Sequence, residues 1–244
     1  MRGAPVVEVK GLTKRFNRLT AVENVDFTAR PGEILGLLGE NGAGKTTTLR
    51  VLATVLAPTS GDVVVNGFSV ARQAQQVRAS IGFISSEAGL YDRLTARENV
   101  AYFGRLHGIP RPVLNDRIDA LFDWLDLKDV ADRRVGKFSK GMKQKVCIAR
   151  AIIHDPPVLL LDEPTAGLDV TAIHAVDQFI LRAKGEGRTI IFSSHVMSEV
   201  EKLCDRVAII HRGSIIAGGT MDELKAKRER FEDVFLRLIG GRDQ

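Results

Sequence analysis

The stretch Gly39-Glu40-Asn41-Gly42-Ala43-Gly44-Lys45-Thr46-Thr47 restricts the possible folds of this chain more than any other. It follows the apolar run Ile34-Leu35-Gly36-Leu37-Leu38 and precedes the helix-like Thr48-Leu49-Arg50-Val51-Leu52, so it stands where a buried strand hands over to a helix. Glycines at 39, 42 and 44 let backbone N–H groups turn inward around a polyphosphate. A helix starting at Gly44 aims its positive dipole end at the same anion. Lys45 is placed to reach the β- and γ-phosphates, and the Thr46 hydroxyl to sit on the magnesium that bridges them. The stretch reads as a phosphate-binding loop, with every residue from Gly39 to Thr47 (Glu40, Asn41, Gly42, Ala43 and Gly44 included) lining the nucleotide.

A chain of 244 residues can bury the core that such a strand–loop–helix unit needs. Its apolar fraction of 44% and charged fraction of 27% are those of an ordinary globular protein. No apolar run approaches the roughly 20 residues that span a bilayer, and Met1 to Pro5 leads into a strand-like segment instead of a signal peptide. The formal charge of +5 is spread along the chain among Asp and Glu, which speaks for a solvated surface and against a nucleic-acid partner. Cys147 and Cys204 lie in apolar helical contexts without metal-ligand spacing and read as small core residues.

Taken in order, Val6–Val9 and Ala21–Phe27 alternate as antiparallel strands, while Ile34 to Leu38 is apolar on both parities and reads as a central, doubly covered strand. The helix after the loop is expected to run to about Leu56, where Pro58 and Gly61 stop it. A strand over Asp62–Val65, a helix over Ala71–Ala79 and a strand over Ile81–Ile84 follow. From Glu87 strands vanish for about seventy residues, far more than a normal connection. Three helices fill that stretch: one capped by Thr95 and Glu98, one over Pro112–Leu125, and one over Ser139–His154. Apolar strands resume at Val158–Leu161, Thr189–Phe192, Arg206–His211 and Ser214–Gly218, with helices over Val170–Lys184 and Val196–Leu203 and a helical tail over Asp222–Leu238. The fold class expected is α/β: a P-loop core with an antiparallel β part (1–86 and 156–219), an inserted α-helical subdomain (87–155) and a C-terminal helical tail (220–244).

Acidic residues at the carboxyl end of a buried strand stand where ligands collect in such sheets. Asp162 fits as the magnesium-side carboxylate and Glu163 as the group that polarises an attacking water. His195 ends another strand, placed to meet the γ-phosphate and the same water. Phe16, in a charged turn, is either a stacking platform for a nucleobase or an ordinary edge-strand aromatic.

Together these motifs resemble the ATPase subunit of an ABC transporter over nearly the whole chain. Gly39 to Thr46 matches the Walker A loop, Leu159 to Glu163 Walker B, Pro164 to Asp169 the segment ending in the D-loop, and His195 the switch histidine. Phe138-Ser139-Lys140-Gly141-Met142 stands at the family signature, and Phe16 where the family places its adenine-stacking aromatic. The resemblance implies ATP and Mg2+ as cofactors. It also implies a homodimer or heterodimer of cassettes in which Ser139 and Gly141 reach the nucleotide in trans, and a separate multi-span permease that holds the chain at the cytoplasmic face of the membrane. Gly-Leu-Tyr-Asp-Arg-Leu-Thr, Phe-Gly-Arg-Leu-His-Gly and Phe-Ser-Ser-His-Val-Met are most similar to the ATPase of bacterial sodium-extruding exporters. Drug or lipid export is the alternative, and a soluble ABC ATPase working on nucleic acid or ribosomes is the rival.

Two departures stand out. Lys140 and Met142 replace the first glycine and the glutamine of the usual signature. Ser86 occupies the position of the family's magnesium-reaching glutamine, and a serine reaches the metal only through a bridging water. The residues around it, with Leu90, Tyr91 and Leu94, form an apolar cluster that either receives the permease or packs inside the helical subdomain. The tail stripe Phe231, Val234, Phe235 and Leu238 is expected to fold back on the chain's own core.

Overall fold

A computed structural model describes residues 4–85, 89–225 and 230–240. The N-terminal strands β1 (Val7–Phe16) and β2 (Leu19–Ala29) form an antiparallel hairpin. Its register shifts three times between Val9 and Arg15, and such bulges add twist. Asn17 turns the hairpin at φ 50°, a left-handed conformation that asparagine tolerates. Next comes β3 (Ile34–Leu38), all five residues buried as its apolar parities require.

Helix α1 spans Lys45–Leu52 and is shorter than its sequence suggests. Thr54 adopts φ 59°, and the N–H groups of Val55 and Leu56 both fold back to the Arg50 carbonyl, so the helix closes before Pro58 is reached. Strand β4 (Ser60–Val65) pairs with β1, and β5 (Phe68–Ser69) returns through Asn66-Gly67, whose positive φ angles are those of a type I′ turn. Helix α2 (Ala74–Ser80) leads into β6 (Ile81–Ser85).

Helices α3 (Ala96–Leu106), α4 (Arg111–Trp124) and α5 (Lys140–Ile152) fill the next stretch, and among the described residues no strand interrupts them apart from a single bridge between Thr95 and Arg134. The Thr95–Glu98 capping box is formed in both directions, which satisfies orphan N–H groups at the start of α3. The chain then alternates β7 (Val158–Asp162), α6 (Val170–Gly185), β8 (Thr189–Ser194), α7 (Met197–Leu203), β9 (Arg206–His211) and β10 (Ser214–Gly219).

Two sheets result. One has the order β2-β1-β4-β5; the other, β10-β9-β3-β8-β7-β6, is parallel except for β10. One apolar cluster joins Ile34, Leu38 and Phe192 to the helices, and a second joins Leu35 and Leu37 to α1 and the antiparallel sheet. Strand β3 is thus covered on both faces and presents its carboxyl end, where the glycine-rich loop begins.

The tail forms α8 (Met221–Leu224) and α9 (Phe231–Gly240). Phe231, Val234 and Phe235 are buried in the main cluster and Leu238 packs against it, as expected. Cys147 is a buried free thiol and Cys204 a partly buried one, and burial raises the pKa of both.

Candidate functional site

The carboxyl ends of β3, β7 and β8 converge because the three strands are parallel neighbours in the register Leu38 opposite Ser194 and Asp162 opposite Ser193. The loop after β3 is therefore brought beside Asp162, Glu163 and His195. Two other elements hold it. The Gly213 N–H donates to the Ala43 carbonyl (2.9 Å), and the Gly213 carbonyl accepts from the Glu23 N–H (2.7 Å), so the β9–β10 turn ties the loop to β2. Gly44 caps α1 at φ 109°, and a Cβ there would lie 2.8 Å from the Ala21 carbonyl oxygen; only glycine fits both constraints.

Lys45 is 4% exposed and has three partners. Its Nζ donates to the carbonyls of Gly39 (2.7 Å) and Glu40 (3.0 Å) and stands 3.3 Å from Glu163 Oε1. An almost fully buried ammonium must be paired, and these oxygens hold it at the floor of the loop. Asn41, Gly42, Gly44, Lys45, Thr46 and Thr47 line a cavity of about 290 Å³ together with Ala21 and Glu163.

Asp162 is 1% exposed at the end of β7. One of its oxygens, Oδ1, accepts from the hydroxyls of Thr46 and Ser193, each at 2.9 Å. Ser193 accepts in turn from the Glu163 N–H at 3.0 Å. The Thr46 hydroxyl and Asp162 carboxylate form a pair of hard oxygen donors. Two hard oxygens suit a small cation whose other ligands are phosphate and water; among the described residues no group of three or more His, Cys, Asp or Glu could hold a metal.

Glu163 adopts φ 48°, unusual for a residue with a long side chain, and this turns its carboxylate off the strand axis. Its Oε1 lies 3.3 Å from His195 Nδ1 as well as from Lys45. His195 is about half exposed, where a solvent molecule can approach both groups. The arrangement can bind a polyphosphate, neutralise it and orient a water.

Phe16 pairs with Leu19, two positions before Ala21 on β2, and Ala21 lines the loop cavity, so the hairpin tip stands beside the loop. Phe16 is 40% exposed, with Lys14 Nζ 4.9 Å from its ring centroid. Ser139 and Gly141 do not join this group within the chain; they line a separate cavity of about 450 Å³ with Asp169, Thr171 and Ala172. Ser139 caps α5, its oxygen accepting from the Met142 N–H at 3.2 Å. Ser86 lies outside the described residues. Sequence reasoning passed over Ser193 as an orienting residue and the Arg212-Gly213 turn as a support for the loop. The serine immediately before Ser194-His195 was the available signal, but only strand pairing shows it to face Asp162.

Another groove, of about 680 Å³, lies elsewhere, lined among others by Phe83, Phe103, Leu106, His107, Arg150 and His154. The rings of His107 and His154 stack at 3.7 Å, and burial, followed by repulsion from His107, lowers the His154 pKa to about 4.

A family model for the ABC transporter matches residues 22–166. The chain is 50% identical over 215 residues to the ABC transporter ATP-binding protein NatA of Bacillus subtilis, covering 88% of this chain and 87% of that protein. It is 38% identical over 236 residues to the daunorubicin resistance ATP-binding protein DrrA3 of Streptomyces coeruleorubidus, covering 96% and 74%. A solved ATP-binding subunit of an ABC transporter superposes with a TM-score of 0.88 at 31% identity, covering 96% of this chain and 99% of that one.

Proposed function

The chain belongs to the ABC transporter family as an ATP-binding, ATP-hydrolysing subunit with that family's fold, and from this premise we propose the roles of its residues and partners. The observation that carries the reading is the single oxygen of Glu163 set between Lys45 and His195 at the mouth of the loop cavity.

Gly39 to Thr47 cradle the phosphates of ATP, with Lys45 drawing negative charge to the floor of the loop. Thr46 and Asp162 would hold Mg2+, which would neutralise phosphate charge when bound. Ser193 keeps Asp162 in place. Glu163 accepts a proton from the water whose oxygen attacks the γ-phosphorus, and His195 orients that water. Phe16 stacks on the adenine.

Residues 87–155 act as a helical subdomain beside a core of 1–86 and 156–219. Ser139 and Gly141, at the start of α5, act on the nucleotide of a second cassette; their location in a cavity apart from the loop supports this division. Dimerisation then requires ATP, and hydrolysis reverses it.

Among the described residues no helix is long and apolar enough to cross a membrane, so transport needs a membrane partner. The docking face we favour is the exposed aromatic corner where Tyr91, 51% exposed, meets Tyr102 edge-on at 5.5 Å, next to Phe103 and Leu106 of the large groove. There the chain sits peripherally on the cytoplasmic face. The substrate reading is sodium efflux, on the motifs of residues 89–95, 103–108 and 192–197. Drug export is the second reading, on the resistance protein among the relatives.

The test uses purified protein with Mg-ATP. Glu163→Gln is expected to lower turnover at least about 100-fold while an ATP-dependent dimer accumulates by size-exclusion chromatography. Parental turnover in that variant removes Glu163 from the role of base.

A further inference from the structure

The signature helix α5 is held at three points, two on the segment that follows Glu163 and one on the first turn of α6. Lys140 Nζ donates to the Ala166 carbonyl at 2.6 Å. One turn later on the same helix, Gln144 Nε2 donates to the Pro164 carbonyl at 2.9 Å. Between them Gly141 faces Ala172 so closely that a Cβ would stand 2.9 Å from the alanine methyl. A Cβ on Gly167 would in turn collide with the Lys140 ammonium.

The gripped segment is itself wound onto the catalytic strand. Ala166 N–H donates to the Glu163 carbonyl (3.1 Å) and Leu168 N–H to that of Thr165 (3.1 Å), and Asp169 then caps α6 by accepting from Ala172 N–H (2.8 Å). A shift of α5 therefore moves Ala166 and, through one hydrogen-bonded turn, the backbone that carries the Glu163 carboxylate. Glycine, usual at position 140 in the signature this sequence resembles, has no side chain to make the link.

We propose that Lys140 is a positioning residue that couples the signature helix in cis to the Pro164–Asp169 segment and so aims Glu163 of the same chain. The inference rests on the reading of Glu163 as the base. Its contact with Ala166 is a charge-assisted hydrogen bond to a carbonyl, the stronger kind, and Gln144 supplies the second anchor that gives it direction. Lys140 itself is solvent-exposed at the first turn of α5, so replacing it does not disturb the core.

The experiment pairs hydrogen–deuterium exchange on the full chain with steady-state ATPase kinetics for Lys140→Met and Lys140→Arg. Methionine keeps the stem and removes the donor. The expected result for Lys140→Met is exchange about tenfold faster at the Ala166 and Leu168 amides, kcat about tenfold lower, and KM for ATP within about twofold of the parent, on the scale of one lost charge-assisted bond. Lys140→Arg recovers both readings. Unchanged exchange at these amides overturns the clamp, and faster exchange with parental kcat overturns its role in aiming Glu163. A parental chain that fails to hydrolyse ATP contradicts the ATPase reading instead, and the exchange measurement still decides the clamp.

Discussion

Glu163 Oε1 lies 3.3 Å from His195 Nδ1, across the gap between the ends of two neighbouring parallel strands. Neither residue touches the other through sequence; the sheet sets the distance. His195→Ala is expected to lower kcat about 100- to 1,000-fold, the cost of one positioned donor at a reacting phosphate, while KM for ATP changes little. Steady-state kinetics with a nucleotide-binding control check this, and a parental kcat overturns it.

The Ser193 hydroxyl bonds both the Asp162 carboxylate and the Glu163 backbone N–H. Ser193→Ala removes a donor from a buried carboxylate and leaves the Glu163 N–H without its acceptor. A loss of about 1–3 kcal/mol in urea unfolding is expected, the penalty for unsatisfied buried groups. The magnesium concentration for half-maximal ATPase activity should rise as well, because Asp162 is less firmly oriented.

His154 supplies a pH dependence. Its Nε2 meets the Ile81 carbonyl at 2.9 Å, so that nitrogen must carry the proton, while the buried Nδ1 has no partner and the ring is stacked on His107. Burial first, and His107 second, lower its pKa from 6.5 to about 4. The unfolded chain thus takes up a proton at a pH where the folded chain does not. Stability is full above pH 6.5 and falls as the pH drops from there toward 4. Thermal melting across that window should show the decline, and His154→Gln, which keeps a donor without titrating, should flatten it.

Much of this was legible locally. The phosphate loop, the capping box at Thr95, the doubly apolar strands and the inward face of the tail all follow from residue type and spacing within a few turns of chain. The end of α1 was not, because the apolar residues continue to Leu56 while the left-handed turn at Thr54 closes the helix early. Nor was Lys140: its sequence shows only a departure from a pattern, and its partner Ala166 lies 26 positions away.

By itself the sequence determined which elements form and in which order, and marked the candidate site residues, since periodicity, caps and glycine spacing act over short range. Only the tertiary structure decided that Thr46 meets Asp162 across 116 positions and that Ser193 bridges Asp162 to Glu163. It also set Ser139 apart from the loop of its own chain. The physical reason is strand order: β3 lies beside β8 and β9, not beside the strands nearest it in sequence, and parallel pairing over long separations is selected by burial of whole sheet faces, which no local segment encodes.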